Sequence, residues 1–156
     1  KRSVTMPNQV RRVVTFNDTA GKAVISSDSR VASHPGKRGD VHVTDLWMTD
    51  GSPPTLNGAD PLGSIPVLPV KNGATFRVME IGAHTDPHMH YTGTLDYIIV
   101  LEGVLEMKLG DGSKVTMKEG DFMVQRGTVH GWANPTDRPT RFATVILDAG
   151  GGFFEA

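Results

Sequence analysis

The chain has 156 residues, a formal net charge of −1, 38% hydrophobic and 21% charged residues, and no cysteine. That length suits one domain with a real core, and the composition is globular rather than disordered. A disulfide and a thiolate metal site are excluded, and no Lys or Arg run is long enough to track a nucleic-acid backbone. The longest apolar run, Ile98 to Leu101, is far short of the roughly 18 residues a membrane helix needs, and the N-terminus lacks a signal-peptide core. A cytoplasmic protein with neither nucleic acid nor membrane as partner is expected.

Eighteen Gly and ten Pro separate short β-branched runs, and no segment sustains an apolar period of 3.6 residues. An all-β chain follows. Strands are predicted at Val10 to Phe16, Ala23 to Ser26 and Val41 to Met48. The segment from Asp50 to Pro69, rich in proline and glycine, reads as a long loop, either across a barrel mouth or wrapped outside. Further strands are predicted at Thr75 to Ile81, Tyr97 to Leu101, Leu105 to Leu109, Lys114 to Met117, Phe122 to Gln125, His130 to Asn134 and Arg141 to Leu147. Gly110-Asp111-Gly112-Ser113 supplies the positive-φ positions that close a hairpin. Evenly spaced short strands point to a sandwich or barrel. Residues 1–70 read as an N-terminal arm and loops, 71–147 as the compact β unit, all within one domain spanning 1–156. Such an arm can cover an exposed edge strand of a second copy, so a homodimer is expected.

Four of the six histidines lie between positions 84 and 130. His88 and His90 are two apart, which on a strand sends both rings to one face. Imidazoles suit Fe, Mn, Zn, Ni or Cu, and a ligand from a second strand would leave coordination positions open. His130, after the turn Arg126-Gly127-Thr128, is the natural third ligand, and Asp96 the candidate fourth. His84, in a loop at the expected mouth, is a candidate proton shuttle. Glu80 shares strand parity with Phe76 and Val78, and Arg77 with Met79; the pattern does not say which set lines the barrel. Tyr91, Tyr97, Trp132 and Phe122 read as core aromatics, and Tyr91, Trp132, Gln125 and Trp47 as the side chains most suited to line a substrate pocket.

The frame around these histidines resembles the cupin family. Its first motif, Gly, five residues, His-x-His, then an acid, six residues and a Gly, is matched by Gly82, His88, His90, Asp96 and Gly103. The second is matched by Gly120, Gly127, His130 and Asn134. Asp96 stands one residue late in place of a Glu, and Arg126 replaces a Pro in a turn one residue short. Asp96-Tyr97-Ile98-Ile99-Val100-Leu101-Glu102-Gly103, together with Gln125-Arg126-Gly127-Thr128, Trp132, and Trp47 with Thr49-Asp50-Gly51, is similar to small cupins of bacterial and fungal secondary metabolism, in which the pair is often reduced to a Met-His step, here Met89-His90.

The resemblance implies an antiparallel, jelly-roll β-barrel, one divalent transition metal on His88, His90, His130 and Asp96, and a small-molecule substrate. The reaction expected is that of a lyase removing water or carbon dioxide from a small hydroxylated carbonyl, aromatic or polyketide-like compound, with Asp96 or His84 exchanging the proton. A non-haem Fe(II) dioxygenase and a non-catalytic ligand-binding cupin are the alternatives.

Overall fold

The structure, a computed structural model, describes residues 9–150. Eleven strands are present among them: β1 (Val10–Asn17), β2 (Ala23–Val31), β3 (His34–Pro35), β4 (Val41–Thr49), β5 (Ala74–Ile81), β6 (Thr94–Glu102), β7 (Val104–Leu109), β8 (Lys114–Lys118), β9 (Phe122–Arg126), β10 (His130–Ala133) and β11 (Thr140–Asp148). No helix of this chain, among the described residues, is long and apolar enough to cross a membrane. The ten expected strands all form, and β3, too short to leave a periodic trace, joins them.

A six-stranded sheet in the order β3-β4-β5-β11-β6-β9 faces a three-stranded sheet β10-β7-β8, while β1 and β2 form a separate hairpin. All pairings are antiparallel. β3 and β4, although within residues 1–70, thus begin the main sheet.

The core between the sheets consists of Ile81, Ile98, Val100, Leu105, Met117 and Phe142, with Met79, Met123 and Trp132 packed against it. Register determines which residues share this face. Met79 stands opposite Phe142, and Phe142 opposite Val100. One step along, Asp45, Arg77, Thr144, Ile98 and Met123 form a row across five strands. The next contains Thr75, Ile146, Asp96 and Gln125. The inward set on β5 is therefore Thr75, Arg77, Met79 and Ile81, and Glu80 faces outward beside Arg141 at 3.8 Å.

Tyr97 and Phe122, expected in the core, are exposed on the outer face. Both faces of β6 are apolar, so alternation of polarity could not orient the strand. Gly103, with φ of 81°, makes the tight β6–β7 turn; a Cβ there would meet Pro139 O and Thr140 Oγ1 at 2.9 Å.

The long loop is tied down at two points. Arg77, on the core face of β5, donates to Pro66 O and Val67 O at 2.7 Å each. Arg12, buried and 6.0 Å from the centre of the Trp47 ring, grips the Asp60 carboxylate. Asp45 links this region to β3, reaching Arg77 Nη2 at 3.0 Å and His34 Nε2 at 2.8 Å.

The hydrogen bond to Asp45 is the main reason that the His34 pKa is raised. A raised folded-state value means that the pair stabilises below the unfolded histidine value of about 6.5 and ceases to do so as pH climbs through the folded one. With His34 exposed, the contribution is small after screening. Urea midpoints measured from about pH 6 to about pH 8 are expected to fall more in the wild type than in His34→Gln; parallel curves would remove this pair from the stability of the fold.

Candidate active site

The site begins with a backbone pairing. The segment after β5 runs antiparallel to β10, bridged at Thr85 with Asn134 and at His90 with His130. His90 N donates to His130 O at 2.8 Å, and His130 N to His90 O at 3.0 Å. Gly131 permits this approach: a Cβ there would lie 3.0 Å from both His88 O and the Met89 sulfur. At the far end Asn134, fully buried, donates from Nδ2 to Gly82 O at 3.0 Å and Arg138 O at 2.6 Å, and its Oδ1 accepts from Thr136 N and Oγ1.

The pairing brings the rings of His90 and His130 to 4.5 Å between centres. Each uses Nδ1 as a donor, His90 to His88 O at 2.9 Å and His130 to Thr128 O at 2.8 Å. A carbonyl can only accept, so the proton of each neutral ring sits on Nδ1 and the lone pair on Nε2. His130 is buried, and that burial pushes its pKa down; the nearby His90 lowers it further, while Asp96 raises it. It is a neutral base at neutral pH. Trp132 meets it edge-on at 5.3 Å and passes the packing on to Phe142 at 5.5 Å.

Asp96, also buried, lies across the β6–β9 ladder from Gln125. Gln125 Nε2 donates to Asp96 Oδ2 at 3.0 Å, while its Oε1 accepts from Thr128 N at 2.6 Å and Thr128 Oγ1 at 3.0 Å. The Thr128 carbonyl in turn holds His130. One amide thus fixes both the carboxylate and the turn that presents the imidazole. Among the described residues, Asp96 Oδ1 has no hydrogen-bond partner, and neither does Thr75 Oγ1 in the same cross-sheet row. An unpartnered buried carboxylate oxygen costs stability, and in a site it is a group held ready for a ligand.

The other candidates lie elsewhere. His84, with φ of 54°, is exposed beside Thr136. It sits at the Asn134 end of β10, about 13 Å of strand from His130. Trp47 pairs with Phe76 on the outer face. Tyr91 is half-buried next to His90 in sequence. The signals missed in the sequence are Thr128 and Thr75: nothing about a turn threonine or a strand threonine marks it as part of a polar site.

His88, exposed like His90, has its ring nearly parallel to that of His90 (16°) and 6.3 Å away. With metal–nitrogen bonds of ~2.1 Å, ring centres of neighbouring ligands lie ~4.5 Å apart. The His90–His130 pair meets this spacing and the His88–His90 pair does not. Among the described residues, no group of three or more His, Asp or Glu side chains is gathered to hold a metal ion. The four expected ligands therefore do not fit a metal centre as arranged.

Residues 75–147 match the family model described as Cupin domain. A cupin-domain-containing oxidoreductase, fogC, of Aspergillus ruber is 31% identical over 150 residues, which covers 90% of this chain and 73% of that protein. The cupin-domain-containing oxidoreductase srdD of Neurospora crassa is 34% identical over 110 residues, which is 66% of this chain but only 56% of the relative. Among solved structures, the polyketide cyclase RemF of Streptomyces resistomycificus superposes with a TM-score of 0.54 at 20% identity, covering 75% of this chain and 73% of its own. That likeness concerns the fold. The paired sheets around a histidine-bearing interior define a β-barrel of the jelly-roll class. The chain belongs to the cupin family.

Two measurements probe the assembly. Gly131→Ala should push the 88–90 segment off β10 and cost about 1–3 kcal/mol in denaturant titration; no loss would mean that the approach is not tight. Calorimetric titration with Mn²⁺, Ni²⁺ or Zn²⁺ should give weak binding that falls about tenfold in His130→Ala and far less in His88→Ala. Equal losses would show His88 turning in to complete a three-histidine site.

Proposed function

We propose that this cupin is an enzyme of secondary metabolism, cytoplasmic and homodimeric, and a lyase that removes water or carbon dioxide from a small hydroxylated carbonyl compound of aromatic or polyketide type. The observation that carries the reading is the buried, unpartnered Oδ1 of Asp96 beside a neutral His130. The printed names of the relatives and of the polyketide cyclase support the setting.

In this reading Gln125 holds Asp96 Oδ2, so Oδ1 is the atom that moves the proton. For dehydration, Oδ1 takes the proton from the carbon next to the carbonyl; the C–H electrons form the new double bond as the β-hydroxyl departs, and the carboxyl returns the proton to that hydroxyl as water. The Nε2 lone pairs of His90 and His130 accept hydrogen bonds from substrate hydroxyls and orient them. Burial of Asp96 and His130 keeps bulk water from competing for the proton.

The names of the relatives favour one second reading, oxygen-dependent oxidation on a non-haem Fe(II). Incubation with a panel of β-hydroxy-carbonyl aromatics, with and without air, separates the two. A lyase gives products lighter by water or carbon dioxide equally in both. Asp96→Asn and His130→Ala should each slow turnover roughly 10²–10⁴-fold with the fold retained. Product formation that requires oxygen, or full activity in Asp96→Asn, overturns the lyase reading. Tight binding without turnover would mark a ligand-binding cupin.

A further inference from the structure

The outer face of the main sheet carries six large apolar side chains in contiguous rows. By register, Phe76 continues through Val145 to Tyr97 and Val124, and the neighbouring row leads through Ala143 to Ile99 and Phe122. Leu101 extends the stripe along β6. Their exposures are 75% for Phe122, 59% for Val124, 47% for Tyr97, 42% for Phe76, 41% for Leu101 and 37% for Ile99. Together these equal about three fully exposed large side chains, or ~600 Å². A patch of that size is at the upper limit for a monomer and close to the roughly 800 Å² per partner of a stable interface. By alternation along β6 its inward residues already fill the core, and the outward apolar ones are left exposed by the described residues of the same copy.

The charges around the patch are unevenly placed. At one end lies Arg126, paired with Leu95 in the β6–β9 ladder. At the other stands Glu102, its side chain 66% exposed, with Arg141 3.8 Å away. Some 23 Å of β6 separates Leu95 from Glu102.

We propose that this face is the homodimer interface, formed by two copies packed sheet to sheet about a two-fold axis that runs perpendicular to the strands. That axis sets β6 of one copy antiparallel over β6 of the other, so Arg126 of each copy meets Glu102 of its mate. An axis parallel to the strands would stack Arg126 on Arg126 and is disfavoured. The occupant is a second copy because the face is self-complementary in just this sense: apolar centre, opposite charges at its two ends. The proposal rests on the homodimeric state proposed above but on none of the chemistry; catalytic turnover is measured separately, so failure of one is not failure of the other. It replaces the N-terminal arm as the device of association.

Sedimentation and light scattering of the purified chain should give twice the chain mass at micromolar concentration. Phe122→Asp should yield a monomer with an unchanged circular-dichroism spectrum, whereas Ile25→Asp, an exposed apolar site on the β1–β2 hairpin, should remain a dimer. Arg126→Glu and Glu102→Arg should each weaken the dimer about tenfold, and the two together should restore it. A wild-type monomer, a dimer indifferent to Phe122→Asp, or dissociation by Ile25→Asp alone overturns the proposal. Failure of the charge swap to restore association overturns the antiparallel arrangement.

Discussion

The backbone pairing between the Thr85–His90 segment and β10 is the constraint on which the site depends. Two histidines from separate parts of the chain come together because their main chains exchange hydrogen bonds, not because their rings attract. Gly131 makes the approach sterically possible, and Asn134 locks the far end by tying the Ile81–Gly82 carbonyls to the Thr136–Arg138 turn. Both residues belong to the barrel scaffold, and their effect on chemistry is indirect: they determine where Nε2 of His90 and of His130 can be.

Around this pairing a short polar chain runs through an apolar interior. Asp96, Gln125, Thr128 and His130 are linked end to end, and each bond removes one way for the ring or carboxylate to turn. The cost is one carboxylate oxygen left without a partner in a buried position. A fold optimised for stability alone would have filled this place with an aliphatic side chain, as it does one step along the same strand at Ile98. Rigid backbone plus one unsatisfied acceptor is a reasonable description of a site that waits for a ligand.

Much of this was visible in the residues. The strands were legible because β-branched runs and Gly-rich turns carry local information, and the hairpin at Gly110 to Ser113 forms as its turn chemistry demands, with Gly112 at φ of 87° and Asp111 Oδ1 accepting from Ser113. His88, His90, His130 and Asp96 were read as a group from motif spacing, and Gln125 only as a side chain suited to line a pocket. Asn134, by contrast, reads as a motif position without stating its task, which is to join turns rather than to meet a substrate.

The sequence by itself determined an all-β chain, the places of its strands and the residue types able to do acid–base chemistry, because strand propensity, turn formation and side-chain pKa are properties of neighbours in the chain. Only the tertiary structure decided that His88 and His90 lie outside the named strands, their rings 6.3 Å apart, and that Tyr97 and Phe122 lie outside the core. It also showed that Arg77, not Glu80, turns inward to hold the long loop. The placing of Tyr97, Phe122, Arg77 and Glu80 depends on which sheet face meets the other sheet, and where both faces of a strand are apolar that choice is made by packing across the barrel, between residues distant in sequence.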